Sequence, residues 1–374
     1  MTEKPIPDAI NNAKPVVLVA PLDWGLGHAT RCIPVIEQCL TAGFEVIIAA
    51  EGVQKALLQS EFPNLNFAHL PGYRLKYGSS KWLTILKIII QIPKILTTIN
   101  KEKKWLHSFT NHKHLDAVIA DNRFGLCKTG IFSVFITHQL YIKTPFGSFI
   151  NAFIQKINYR FINKFNICWI PDAAGENNIG GLLSHPAIKP SCNCRYIGAL
   201  SRIKKENTGN TNKLLVLLSG PEPQRSILEK KILKQLTELP ISAIFIRGLP
   251  GAPDTISSTE RIKIFNHLPG KELQQIINDT EIVISRSGYT TIMELLPLGK
   301  KCIFIPTPGQ TEQEYLANYL AAKGWICTAS QDHFSLTDLI KEASALQIPD
   351  LSFLSNGHQL EEAVAALTRE RNNI

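Results

Sequence analysis

Short, unbroken apolar runs alternate along this chain with longer segments whose apolar residues recur every three or four positions. The first run is Val16-Val17-Leu18-Val19-Ala20. A strand covered on both faces has no polar side to show, so such a run predicts a strand inside a parallel sheet. After a loop over 21–28, Ile33, Ile36 and Leu40 share one face of a helix predicted over 29–41, with Gly43 ending it. Residues 45–50 read as the next strand. This β-loop-α-β unit is the building block of doubly wound sheets. Strands are predicted again at 66–70, 117–120, 131–136, 167–170 and 195–198, with a long helical region after the first of these.

The polar, charged stretch 201–212, with Lys204-Lys205-Glu206-Asn207 inside it, reads as a linker. The alternation then restarts. Strands are expected at 214–218, 243–247, 262–265, 281–285 and 302–306, and helices at 225–236, 271–277, 290–296, 312–323 and 359–371. The fold class expected is α/β, with two Rossmann-like doubly wound domains and a cleft between them. The first covers 1–200 and the second 213–374, the last helix being able to pack back on the first. A length of 374 residues fits two domains of ordinary size.

Composition narrows the function classes. At 44% hydrophobic and 19% charged residues the chain can build a core and shows no signature of disorder. A net charge of +9 attracts phosphates, nucleic acid or anionic membranes without choosing among them. No zinc-finger, RNP or basic-heptad pattern accompanies the charge, so no nucleic-acid partner is expected. The eight cysteines form no framework, which fits reduced thiols in the cytoplasm. Only Cys192 and Cys194 lie close together, without a second Cys/His pair, so no metal is expected there. The polar stretch 1–14 lacks a signal peptide's apolar segment, and no run approaches about 18 uncharged apolar residues, so no membrane-spanning helix is expected.

One stretch carries a different message. Between 81 and 101, Lys81, Thr84, Lys87, Gln91, Lys94, Thr98 and Lys101 punctuate a nearly continuous apolar sequence, with Lys103, Lys104 and Trp105 extending it. The spacing predicts an amphipathic basic helix, bent at Pro93. Residues 146–165 set Lys156, Arg160 and Lys164 among Phe149, Phe153, Tyr159 and Phe161. Segments 81–105 and 146–165 are therefore candidates for an anionic membrane surface, at the inner face of the cytoplasmic membrane. Two ordinary helices packed on the first sheet are the alternative.

The residues with chemistry to offer sit where strands end, and there α/β sheets place ligands. Ser285-Arg286-Ser287-Gly288-Tyr289-Thr290-Thr291 turns from a strand into a helix. Free backbone N–H groups at a helix start suit an anion, Gly288 admits a phosphate, and Ser287 and Thr290 add hydroxyls. One turn on, Glu294 can accept paired hydrogen bonds from ribose hydroxyls. The loop Thr307-Pro308-Gly309-Gln310-Thr311-Glu312-Gln313 is rich in amide and carboxylate groups, which match the donors and acceptors of sugar hydroxyls. In the first half, Gly25, Gly27, His28 and Arg31 follow the first strand. Asp121-Asn122-Arg123 and Thr137-His138-Gln139 follow two later ones. His28 is a candidate general base, and Asp121 is either a competing base or the group that orients it.

Arg286-Ser287-Gly288, Glu294 and 310–313, in this order and spacing, resemble the C-terminal half of the GT-B glycosyltransferases. The group resembled is that of the bacterial peptidoglycan N-acetylglucosaminyltransferases, with UDP-glucuronosyltransferases and plant glycosyltransferases further off. The likeness is densest over 15–50 and 267–324. It implies transfer of a hexose or N-acetylhexosamine from a nucleotide-sugar, a UDP-sugar by preference, to an acceptor hydroxyl, with a lipid-linked acceptor as one option. It implies donor contacts from Ser219, Gly220, Arg247, His267, Leu268, Arg286, Ser287, Gly288, Thr290, Glu294, Gln310, Thr311, Glu312 and Gln313. Acceptor-side contacts fall to Gly25, Gly27, Arg31, Asn122, Arg123, His138 and Gln139. Pro221 and Pro223 depart from the small residues of the family's second phosphate-facing loop. With no Asp-x-Asp motif in the chain, no metal and no cofactor are expected, and direct displacement would invert the anomeric centre. A UDP-sugar 2-epimerase without acceptor and a non-catalytic nucleotide-sugar or glycan binder at a membrane surface are the alternatives.

Overall fold

A computed structural model describes residues 14–74, 81–206, 209, 212–253, 256–355 and 357–371, with 81–89 and 212 described for their backbone alone. Most of the polar N-terminal stretch and positions 207, 208, 210 and 211 of the expected linker lie outside the described residues.

The first half runs β1 (Val16–Ala20), α1 (Leu26–Thr41), β2 (Glu45–Ala50), α2 (Gly52–Glu61), β3 (Asn66–His69), α3 (Lys81–Thr110), β4 (Ala117–Asp121), β5 (Phe132–Ile136), α4 (Ser148–Ile162), β6 (Ile167–Ile170) and β7 (Asn193–Tyr196). The second runs β8 (Asn212–Leu217), α5 (Gln224–Glu238), β9 (Ala243–Ile246), β10 (Ile262–Phe265), α6 (Gly270–Asn278), β11 (Thr280–Ser285), α7 (Tyr289–Leu295), β12 (Lys301–Phe304), α8 (Thr311–Ala322), β13 (Cys327–Thr328), α9 (Leu336–Ala345) and α10 (His358–Glu370).

Two sheets result, ordered β3-β2-β1-β4-β5-β6-β7 and β10-β9-β8-β11-β12-β13. Every pairing is parallel. β1 and β4 are buried throughout, as their unbroken apolar sequences demand. In each sheet the order turns around beside a central strand, next to β1 in the first and β8 in the second. The ends of β1 and β4, and of β8 and β11, lie at those crevices, where doubly wound sheets take ligands.

Three elements escape the apolar pattern. α2 buries only Gln54 and Leu58, too little to mark a face, and β13 is two residues long. α9 buries Leu336, Leu339 and Ala343 but begins in polar sequence. β7 starts at Asn193, two residues before the expected position. α3 continues as helix through Pro93. α10 returns to the first half. Arg371 bonds Asp116 at 2.6 Å beyond the helix's end, and Leu360, Val364 and Leu367 share a core with Ile36 of α1.

Candidate active site

The first side of the site is built on the loop after β1. Asp23 accepts the backbone N–H groups of Tyr73 (2.8 Å) and Arg74 (2.7 Å), and Gln54 donates to the Gly25 carbonyl at 3.2 Å. Gly25, at φ 82°, leads into α1. A Cβ on Gly27 would stand 2.8 Å from Thr290 Oγ1, so glycine is what lets the start of α1 touch α7 of the other half. His28 therefore sits in the first turn of α1, inside the cleft, with 15% of its side chain exposed.

Asp121 ends β4 and is completely buried. Its Oδ2 lies 2.8 Å from His28 Nδ1. Arg31, less than one turn beyond His28, places Nε 3.0 Å from both carboxylate oxygens and bonds Oδ1 with Nη2. Burial works to raise the Asp121 carboxyl, but the Arg31 charge and then His28 outweigh it, so it titrates below the usual range. An ionised Asp121 can only accept, so the proton between the two belongs to His28 Nδ1. That leaves the Nε2 lone pair unclaimed by the pair. Burial, then the Arg31 charge, hold the imidazole below its ordinary value against the pull of Asp121. The neutral, proton-accepting form thus prevails near neutral pH. Asp121 is sealed from solvent and already bonded to Arg31 and His28.

The same network crosses to the second half. Arg31 Nη1 lies 3.2 Å from His138 Nδ1. A guanidinium only donates, so His138 accepts at Nδ1 and carries its proton on Nε2. That nitrogen is 2.8 Å from Glu312 Oε1, at the start of α8, and Gln139 donates to the other Glu312 oxygen. Tyr289 stacks flat on His138 with ring centroids 3.9 Å apart, and its hydroxyl donates to the Pro171 carbonyl at 2.8 Å. Thr290 donates to the Gly27 carbonyl at 3.3 Å and Thr311 to that of Lys143 at 2.8 Å.

On α7 of the second half, Glu294 is 8% exposed and bonds Arg202 Nε at 3.1 Å. Arg202 comes from the segment between the sheets, and its charge also reaches His267. It joins the ribose-acid candidate to the segment 266–269, and nothing in its polar surroundings marked it in the sequence. Ser287 donates to the Gln313 carbonyl at 2.9 Å, Gln313 accepts from the Thr307 N–H at 2.9 Å, and its amide donates to Gln310 at 2.5 Å. Gly220 holds φ 108°, a conformation that favours glycine, and a Cβ there would stand 3.8 Å from Thr307 Oγ1. Among the described residues, Thr307 Oγ1 and Arg286 Nε are buried side-chain donors with no partner.

Residues 253–370 match the model of the glycosyltransferase family 28 C-terminal domain. The solved structure of the glycotransferase of kitacinnamycin superposes with a TM-score of 0.65 at 14% identity, covering 96% of this chain and 98% of that one. The chain has the GT-B glycosyltransferase fold. Its sequence is 25% identical over 294 residues, 75% of each chain, to the UDP-N-acetylglucosamine–N-acetylmuramyl-(pentapeptide) pyrophosphoryl-undecaprenol N-acetylglucosamine transferase of Clostridium tetani. The transferase of the same name from Rhodopseudomonas palustris is 38% identical over 84 residues, which span 22% of this chain and 21% of that protein.

Within this GT-B frame several expected ligand contacts are otherwise engaged. Arg247 pairs with the buried Glu229 at 2.9 Å and with Asn266 at 2.7 Å, supporting the segment before His267 from behind. Arg286 donates to the carbonyls of Ile305 and Pro306, both at 3.0 Å, to that of Gln224 at 2.8 Å and to Gln331 Oε1 at 2.5 Å, so only its Nε is left for a ligand. Arg123 is spent on the Pro21 carbonyl at 2.8 Å and on Glu102 at 3.2 Å. Asn122, at φ 53°, turns the chain there. Arginines at strand ends attract a ligand reading, yet each also satisfies loop carbonyls that would otherwise be buried unpaired. α7 is only seven residues long and its start packs on Gly27, which leaves it a smaller share of anion binding than its sequence promised. Leu268 is buried, His267 is exposed and Ser219 and Gly220 are exposed at the mouth.

Proposed function

We propose that the chain transfers a sugar from a nucleotide-sugar, a UDP-sugar in the first instance, to an acceptor hydroxyl. The observation that carries this is the His28–Asp121 pair, which leaves a neutral imidazole nitrogen beside the contact of α1 with α7, the helix that carries Glu294. In this reading Glu294 takes the ribose hydroxyls. Gly220, Thr307 and Arg286 Nε receive the diphosphate, and Gln310 and Gln313 meet the sugar. His28 Nε2 removes the proton of the acceptor hydroxyl, whose oxygen attacks the anomeric carbon as the bond to the diphosphate breaks. One displacement inverts that carbon. The departing charge is met by fixed protein donors rather than by a metal. The relatives' printed names, with their UDP-N-acetylglucosamine donor and undecaprenol-linked acceptor, support the same donor class and a lipid-linked acceptor.

The donor half of this reading is tested by thermal unfolding with UDP-, GDP- and dTDP-sugars, each with EDTA present. A ligand at about 100 times its Kd stabilises by about 2.7 kcal/mol, a shift of a few degrees. We expect that rise with UDP-sugars and EDTA together. No rise with any nucleotide would remove the donor site.

The acceptor half includes a membrane surface. Phe149 is 84% exposed, Ile90 67%, and Ile92, Leu96, Phe146, Phe153 and Ile157 are also exposed on α3, α4 and the approach to α4. Arg160 and Lys164 lie on or next to the same α4. No helix among the described residues is long and apolar enough to cross a membrane. Burying one phenylalanine contributes about 1.5–3 kcal/mol. The double substitution Phe149→Glu and Phe153→Glu should therefore cut sedimentation with anionic phospholipid vesicles by about tenfold or more. Equal partitioning of both proteins would take the membrane out of the proposal.

A further inference from the structure

We propose that Glu312 is a positioning residue for His28, closing from the second half of the molecule the chain Glu312–His138–Arg31–Asp121–His28. This rests on the reading of His28 as the base.

The chain has no free choice of direction. Arg31 must donate, so His138 accepts at Nδ1 and donates from Nε2, and Glu312 must accept as a carboxylate. Burial raises the Glu312 carboxyl, and His138, then Arg31 and His28, bring it below the ordinary range, so the acceptor is present near neutral pH. At the other end Arg31 fixes Asp121, which fixes the proton on His28 Nδ1. Both Glu312 oxygens are taken by first-half side chains, His138 and Gln139, leaving this carboxylate engaged across the cleft rather than turned to the donor pocket. Tyr289, from α7 of the second half, covers the His138 face at 3.9 Å. The imidazole that relays the chain is thus held by both halves. The base is aligned when the donor-side half is docked, and it loses a support when that half withdraws.

The groups facing His28 are Arg31 on its own helix, Asp121 from β4, His138 after β5 and Glu312 from α8. The test is ring-¹⁵N histidine NMR on the full-length chain as wild type, Glu312→Ala and Glu312→Gln. Glu312 is about one third exposed, so both variants should fold, with a modestly lower melting temperature in Glu312→Ala than in Glu312→Gln. In Glu312→Ala, Arg31 still holds the His138 tautomer but the Nε2–H loses its acceptor, so the His138 Nε2 resonance should move, and the His28 midpoint should fall by at least about half a pH unit. Glu312→Gln keeps an acceptor and should retain the His138 Nε2 resonance, with a smaller fall. Once a donor is known, Glu312→Ala should lower kcat about tenfold with donor KM within about twofold. Equal midpoint falls in both variants with an unchanged His138 Nε2 resonance would make Glu312 a distant charge and overturn the proposal. So would a raised donor KM at unchanged kcat, which marks a direct sugar contact. The NMR readout needs no substrate, so a chain without transferase activity would defeat the functional reading while leaving this inference decided on its own data.

Discussion

His28→Ala should lower kcat/KM by on the order of 10²- to 10⁴-fold while nucleotide affinity stays near wild type. His28 Nδ1 is tied to Asp121 at 2.8 Å, and the remaining ring nitrogen lies in the cleft. Alanine removes the base but none of the donor contacts, which stand on the second half. Asp121→Asn is the sharper companion. The amide removes the ion that balances Arg31 and can present an N–H to His28, driving the proton to Nε2 where the lone pair is needed. A loss comparable to that of His28→Ala is expected, although the asparagine side chain fills the same space. The sign of the pH dependence follows from the lowered His28 value. Protonation removes the base, so activity is full above that value and falls as pH drops through it. The acid limb of kcat/KM should therefore lie below 6.5, the ordinary histidine value. In Asp121→Asn the residual activity should titrate lower still, because the carboxylate that favours imidazolium is gone while Arg31 stays. An acid limb at or above 6.5, or a His28→Ala enzyme within about threefold of wild type, would assign the proton transfer elsewhere.

How much of this was written in the sequence depends on the distance over which each feature acts. Strands buried on both faces are local statements. Val16–Ala20 and the apolar core of β11 announce themselves, and the order of elements follows. His28 and Asp121 were each visible as polar residues at strand ends. Their partnership stood there only as one of two options, because it joins positions 93 residues apart, and the parallel pairing of β1 with β4 is what brings them together. Arg31 read as an acceptor-side contact, while the structure makes it the buried counter-ion of Asp121. Arg202 was hidden in a charged linker, whose composition looks the same whether one of its cations is solvated or salt-bridged to Glu294. Arg123 and Arg247 pose the reverse difficulty. Their placement invited a ligand contact, but which guanidinium is spent on protein carbonyls and carboxylates is settled by loop geometry. Thr307 escaped because a hydroxyl is notable only once it is seen buried and unpartnered.

Glu294→Ala should weaken UDP binding by on the order of 10- to 100-fold, read by calorimetry with the enzyme otherwise folded. A carboxylate that accepts hydrogen bonds from two ribose hydroxyls contributes about 1.5–3 kcal/mol, and alanine cannot replace either bond. The competing view is that Glu294 merely neutralises Arg202, its partner at 3.1 Å. The two views part on three measurements. A ribose ligand predicts that Glu294→Gln, which keeps one acceptor, binds UDP more tightly than Glu294→Ala. It predicts that 2′- and 3′-deoxy donors lose little further affinity in the alanine variant, because the contact they lack is already gone. It also predicts a pH dependence of definite sign. Burial raises the Glu294 carboxyl above its ordinary 4.5, with Arg202 pulling against it. The ionised acceptor is present well above the raised value and is lost as pH falls through it. UDP affinity should therefore begin to decline at a higher pH than an ordinary carboxylate would allow, and in Glu294→Ala that decline should vanish. An alanine variant that binds UDP as tightly as wild type and keeps the decline would leave Glu294 as a salt-bridge partner alone, and the donor site would have to be sought elsewhere along the cleft.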